Sequence, residues 1–239
     1  MARAGEPGDD AGTARQVRPS GEPKLSLQRV LSTALAIVDA HGLEALSMRH
    51  LGQALQREPM ALYRYAANKA ALLDGVVETV LAELTIDPLA SDWREELRLL
   101  GANFRRLAQA HPNVVPLLVT RPLATPLGLR PTGTLQSLEN FLALLTRVGF
   151  TPINALHAYR LFFGFLHGHV LAELQEAAAN PDETELLVQL QFKRLPPSQF
   201  PQLRAVATEL TQYDGKSQLE EGIELMITGL EQHFVRRDK

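Results

Sequence analysis

From Leu27 onward the apolar residues Val30, Leu31, Ala34, Leu35 and Val38 recur at steps of three and four, the spacing of one face of an α-helix. Gly42 stands where a left-handed cap would end it, so the pattern predicts a first helix over about 26–41. Ser47 is suited to cap a short second helix through Leu55, and Pro59 to open a third that ends near Tyr65. Asn68 then caps a helix whose stripe of Leu72, Leu73, Val76, Val80, Leu81 and Leu84 runs until Asp87-Pro88 stops it.

The second half repeats this grammar. Asp92-Trp93-Arg94-Glu95 has the form of a capping box, and Trp93, Leu97, Leu100, Phe104 and Leu107 step toward Pro112. A Pro-rich connection around 120–131 leads to a helix bearing Leu135, Leu138, Leu142, Leu145 and Val148, closed by Gly149. Thr151-Pro152 opens a helix that should reach about Ala179, before Asn180-Pro181, a length of roughly 40 Å at ~1.5 Å per residue. Shorter pieces follow at about 183–192 and 201–211. Ser217-Gln218-Leu219-Glu220 reads as a capping box for a last helix with Ile223, Met226, Ile227, Leu230 and Phe234 inside. Strand-like alternation is absent, and the expected fold is all-α. Residues 1–24, rich in Gly, Pro, Asp, Glu and Arg, have no apolar periodicity and are expected to be a disordered tail.

Composition narrows the possible functions. With 239 residues, 45% of them hydrophobic, the chain can bury a substantial core in one or two domains. No apolar run approaches the ~20 residues of a bilayer span and the N-terminus is unlike a secretion signal, so a cytoplasmic protein without membrane contact is expected. The absence of cysteine excludes disulfides, thiolate nucleophiles and sulfur-ligated zinc. A Gly-rich phosphate loop, a nucleophile elbow and a helical His-Glu-x-x-His are all missing, which argues against an enzyme, and no cofactor is expected. A net charge of −3 does not advertise nucleic acid, but within residues 49–69 Arg49, Arg57, Arg64 and Lys69 face only Glu58, with His50 nearby, so a basic patch lies there.

That patch falls on the short second and third helices, whose tight separation suits entry into a major groove. Leu62 is placed to pack on the first helix, while Met60, Ala61 and Arg64 project outward and Arg49 can reach a base edge or phosphate. Tyr63, Tyr65 and Lys69 join hydroxyls and a cation beside the next helix start, chemistry for holding phosphates. Residues 26–84 resemble the DNA-binding domain of the TetR family of bacterial regulators. The words that carry the resemblance are Ser47-Met48-Arg49, Leu62-Tyr63-Arg64-Tyr65 and Asn68-Lys69. It implies base-facing roles for Arg49, Met60, Ala61 and Arg64, and phosphate contacts by Tyr63, Tyr65 and Lys69. The chain departs from the family at Gln56-Arg57, where the turn usually carries Gly-Val; the residue best suited to a left-handed conformation is thus missing. Arg57 is either an added phosphate contact or a solvated cation.

Residues 91–236 are similar to the tetracycline-repressor branch through Thr120-Arg121-Pro122, Leu138-Glu139-Asn140, Gly149-Phe150, Asn154-Ala155-Leu156 and Gly229-Leu230-Glu231. The resemblance implies a tail (1–24), a helix-turn-helix domain (25–67), a linking helix (68–87) and an effector-binding and dimerisation domain (88–239). In that branch a helical cage holds a metal-bound drug. Its metal-binding histidine aligns with Leu117 here, the drug-contacting glutamine with Phe141, and the histidine and glutamate of the long helix with Gly164 and Ala172; the metal is therefore not expected. Phe104, Leu117, Phe141, Phe163 and Leu166 suit an apolar or aromatic effector, with Thr120, Arg121 and His167 as polar handles. His169 and Glu173 share a helix face, yet two ligands do not make a metal site, and His111 beside Pro112 reads as a helix-end cap. Phe162, Phe163 and Phe165 also fit an ordinary core. Glycine pairs at Gly164/Gly168 and Gly222/Gly229 either make room inside one subunit or, as the family implies, let two long helices approach in a homodimer through about 152–179 and 217–235. The expected function is a ligand-responsive repressor of double-stranded DNA operators. The alternatives are a helical ligand-binding protein that has lost operator binding, or a small helical enzyme.

Overall fold

A computed structural model describes residues 25–124, 132–178, 190–209 and 214–235. Three short helices come first: α1 (Leu27–His41), α2 (Met48–Leu55) and α3 (Pro59–Leu62), with a 3-10 turn at Leu43–Ala45. Each of the first two starts on a serine, because the Ser26 and Ser47 side chains accept the backbone N–H of Arg29 and His50 at 3.2 and 3.1 Å. Gly42 does bond back to Val38 at 2.8 Å, but at φ 79°, ψ 172°. The expected left-handed cap is thus a positive-φ turn into extended chain. The apolar faces of α1 to α3 close on one another, with Val30, Ala34, Leu51 and Leu62 fully buried. Burying a leucine such as Leu62 contributes about 1.5–3 kcal/mol.

Helix α4 (Lys69–Leu81) is capped by Asn68, whose Oδ1 accepts the Ala71 N–H at 2.8 Å, and it packs along α1. It stops at Leu81, short of the expected Asp87, although Leu84 and Ile86 still bury their side chains beyond its end. The regulatory half contains α5 (Trp93–Ala110), α6 (Val115–Ala124), α7 (Thr132–Arg147), α8 (Pro152–Ala178), α9 (Pro201–Ala205) and α10 (Gly215–Leu230), which continues as a π-turn over Glu231–Val235. Helix α6 occupies the first part of what the prolines suggested was a connection. Pro116 is tolerated because it sits in the first turn, where its missing N–H would have no intrahelical partner, and the helix continues through Pro122 to end at Ala124. Of the pieces expected at about 183–192 and 201–211, residues 183–189 and 210–211 lie outside the described residues, as does the tail at 1–24, and the second piece is helical only over Pro201–Ala205.

Asp92 caps α5, its Oδ1 accepting the Arg94 N–H at 2.9 Å, but Glu95 turns to Arg98 (3.2 Å) instead of completing the box. The last helix starts two residues before the expected cap. Asp214 accepts the N–H groups of Lys216 and Ser217, both at 3.1 Å, and the Ser217 hydroxyl donates to it at 2.7 Å. Those bonds from Ser217 and then Lys216 hold the Asp214 carboxyl below its ordinary pKa.

Helices α5, α8 and α10 form the centre of the regulatory half, with α7 and α6 against α8. A Cβ at Gly101 would lie 2.3 Å from Ile223 Cδ1, which shows how closely α5 and α10 cross. An ion pair closes one end of this bundle: Arg105 holds Glu173 through Nε at 3.0 Å and Nη2 at 2.5 Å, and Gln109 donates to the same carboxylate at 3.1 Å.

The candidate DNA-reading face and effector site

The second and third helices are joined by a turn that folds directly over Gly52. Arg57 N donates to Gly52 O at 2.8 Å and Gln56 N to Gln53 O at 3.1 Å. Gln56 takes φ 54°, ψ 45°, a left-handed conformation. The loss of glycine therefore leaves the turn geometry in place and loads it with a strain of about 1–2 kcal/mol. Arg57 folds its guanidinium back over the turn, with Nη1 3.4 Å from Gln56 O, and with Arg49 it flanks an open notch of about 570 Å³.

The exposure pattern sorts the candidate DNA contacts. Met60 is 77% exposed and Tyr63 45%, and Arg49 and Arg64 are exposed as well, while Ala61 is half-buried. Arg64 stacks over the Tyr65 ring with its guanidinium carbon 4.8 Å from the centroid. Two residues expected to grip phosphate are partly engaged within the protein. Tyr65 donates its hydroxyl proton to Leu25 O at 2.7 Å, leaving none for a phosphate while that bond stands. Lys69 gives one of its three N–H donors to Leu43 O at 3.2 Å, so the ammonium keeps two. Gly52 escaped the sequence reading; the backbone folded over it is its signal.

Of the expected effector residues, Phe104, Phe141, Phe163 and His167 do come together. Phe163 lies at their centre, with ring centroids 6.3 Å from Phe104, 6.0 Å from Phe141 and 6.2 Å from His167. Two residues not counted as candidates complete the cluster: Tyr159, 4.6 Å from Phe163, and Phe162, 5.8 Å away. Tyr159 precedes Phe163 by about one turn of α8, a spacing that puts the two on one face, whereas Phe162 is its immediate neighbour and its spacing gave no such signal. Phe104, Phe141 and Leu166 are almost fully buried, so they form the floor of the cluster, whereas Phe163, Tyr159 and His167 remain partly accessible. Leu117 is buried on α6. Thr120 is exposed and donates its hydroxyl to Pro116 O at 2.7 Å, so it offers no free proton to an effector. Arg121 lies in α6, and its side chain is outside the description.

Burial among these rings lowers the pKa of His167, keeping the imidazole neutral. A histidine whose folded pKa is depressed binds fewer protons folded than unfolded, so its contribution to stability is complete above the unfolded value and declines as pH falls below it. Thermal melts of wild type and His167→Phe should therefore diverge below about pH 6.5, with the variant losing less stability toward pH 5. Parallel acid-side losses would show that His167 carries no such penalty.

His169 and Glu173 are 3.9 Å apart, and Glu173 is taken up by Arg105 and Gln109. Among the described residues no three His, Asp or Glu side chains are grouped to hold a metal. Among the described residues no helix is long and apolar enough to cross a membrane. Of the glycines, Gly222 serves its own subunit, since a Cβ there would lie 2.3 Å from the Phe165 ring. Gly164, Gly168 and Gly229 face open space. Gly164 and Ala172, where the metal-drug branch places ligands, are both exposed.

A three-helix head with an exposed third-helix segment, set on a helical body that encloses a ring cluster, defines a helix-turn-helix regulator by fold. The comparisons with known proteins agree. Residues 87–234 match the family model described as the tetracycline repressor-like C-terminal domain. The chain is 31% identical over 166 residues to the transcriptional repressor DrrR1 of Streptomyces coeruleorubidus, covering 68% of this chain and 59% of that one. It is 31% identical over 167 residues to the class C tetracycline repressor protein of Escherichia coli, covering 67% and 71%. Among solved structures, Streptomyces coelicolor ActR in complex with actinorhodin superposes with a TM-score of 0.78 at 28% identity, over 89% of this chain and 98% of that one. The chain belongs to the TetR family of transcriptional regulators, which are not enzymes.

Proposed function

We propose that this protein is a cytoplasmic repressor that binds a palindromic DNA operator as a homodimer and is released by a small, largely aromatic effector. The observation that carries this reading is the exposure pattern of the head: Met60, Tyr63, Arg64 and Arg49 stand out from a unit whose Leu51, Leu55 and Leu62 are buried. Arg64, Met60, Ala61 and Arg49 would read bases, with Tyr63 and Lys69 on phosphates. Tyr65 would shape Arg64 by stacking under it. On this reading residues 25–67 form the head, 68–87 the link and 88–239 the effector and dimerisation domain.

The ring cluster around Phe163 supports an aromatic effector, and the likeness to ActR bound to actinorhodin points the same way. For the dimer, Leu161 is 59% exposed on α8 beside Gly164 and Gly168, and Leu225 is 69% exposed on α10 beside Gly229. These apolar stripes fall within the two segments expected to pair, and a second copy would bury them. Sedimentation at micromolar concentration should show a dimer; monomer alone would remove that part.

Random-duplex selection with the wild-type chain, repeated against a ligand panel that includes actinorhodin, tests operator and release together. On the selected duplex, Arg64→Ala should weaken binding by about 10- to 100-fold and relax one base position. Lys69→Ala should weaken cognate and scrambled duplexes alike and reduce the salt slope by about one. Equal loss for Arg64→Ala on both duplexes would contradict its base-reading role.

A further inference from the structure

The turn between α5 and α6 reaches across to the head and grips the last turn of α1. The Asn113 side-chain amide donates to two carbonyls there, Val38 O at 3.0 Å and Asp39 O at 3.1 Å. Next to it His111 Nδ1 lies 2.8 Å from Asp39 Oδ2, while Asp39 Oδ1 is buried without a hydrogen-bond partner among the described residues. Val38 O already accepts the Gly42 N–H and takes the amide on its second lone pair; carbonyls of a last helical turn carry the negative end of the dipole, so donors supplied from another segment bind them well. We propose that His111 and Asn113, with Asp39, form a clasp that sets the angle of the reading head on the regulatory half, which makes them positioning residues for operator binding.

The place of the clasp in the chain strengthens this assignment. Phe104, in the ring cluster, precedes His111 on the same helix, and Leu117 follows Asn113 in α6. Val114 and Val115 between them are fully buried, and α6 packs on both α4 and α8. A shift of α5 or α6 around an effector therefore pulls directly on the end of α1. The operator half of this inference rests on the proposed function; the mechanical half does not.

The chain has no cysteine, so Ala54→Cys on α2 and Glu139→Cys on α7 allow two spin labels at exposed sites. Doubly labelled chains diluted into excess unlabelled chain report the head-to-body distance within one subunit, without DNA. Wild type should give one narrow distribution. Asn113→Ala and Asp39→Ala should broaden it and lower affinity for the selected duplex by about tenfold, as when a tenth of the molecules hold the competent angle. His111→Gln and Asn113→Ser serve where the alanine variants do not fold. An unchanged distribution in a variant that melts like wild type overturns the clasp, as does weaker binding with the distribution still narrow. Should wild type select no duplex, the operator reading fails while the distances still decide the clasp.

Discussion

Phe141→Ala is expected to lower the stability of the regulatory half by about 3–5 kcal/mol in denaturant unfolding, the range for deleting a fully buried aromatic side chain. Phe141 has no exposed surface, and its ring meets Tyr159 at 5.4 Å and Phe162 and Phe163 at 6.0 Å. Part of the loss is area returned to water. Another part is the ring pairing, about 0.5–1.5 kcal/mol per pair beyond burial. The rest is the cavity, which the α8 rings around it can only partly fill. Phe141→Leu keeps most of the volume and should cost less than half as much. A loss below about 1 kcal/mol for the alanine variant would mean that the rings rearrange freely, and that Phe141 lines an adaptable pocket instead of flooring it.

This dependence on packing marks the limit of what the chain reveals as a string. Helix positions were legible, because steps of three and four plus a cap such as Ser47 or Asn68 are local signals: α1, α2 and α8 lie where they pointed, and α4 starts where Asn68 does although it ends early. Prolines misled at α6: the connection expected from about 120 starts later, because the helix that opens at the buried Val115 runs on through Pro122 to Ala124. At the last helix two caps competed. Asp214 gathers three donors, more than Ser217 offers, and the sequence pattern ranks them the other way. The ring cluster was half legible, because periodicity tells that Phe163 and Phe104 face inward but not that Tyr159 closes over them. Least legible were contacts between distant segments. Nothing local says that Tyr65 spends its proton on Leu25, or that Asn113 reaches α1.

Gly52→Val should abolish specific operator binding, a loss on the order of a hundredfold or more if two base contacts of about 1–3 kcal/mol each are displaced. The cause is steric. A Cβ at residue 52 would sit 2.8 Å from the Arg57 carbonyl oxygen and 3.4 Å from Pro59 Cγ and N, so the obstacle is backbone that cannot swing aside. Valine adds two methyl groups to that clash, and its accommodation opens the turn that sets α3 against α2, at about 1–3 kcal/mol of head stability. Met60 follows Pro59 directly and Arg64 lies two residues past the end of the same helix, so an opened turn moves the reading residues before it unfolds the domain. Gly52→Ala carries the same first clash without the methyls and should fall between wild type and valine. Gln56→Gly offers the contrast, because it relieves the left-handed strain at φ 54° and leaves the turn closed, so operator affinity should stay near wild type. The regulatory half, distant from the turn, should keep its own unfolding transition in every variant. Full operator affinity in Gly52→Val would show that the turn over residue 52 does not aim the third helix, and with it would go the assignment of Met60 and Arg64 as readers.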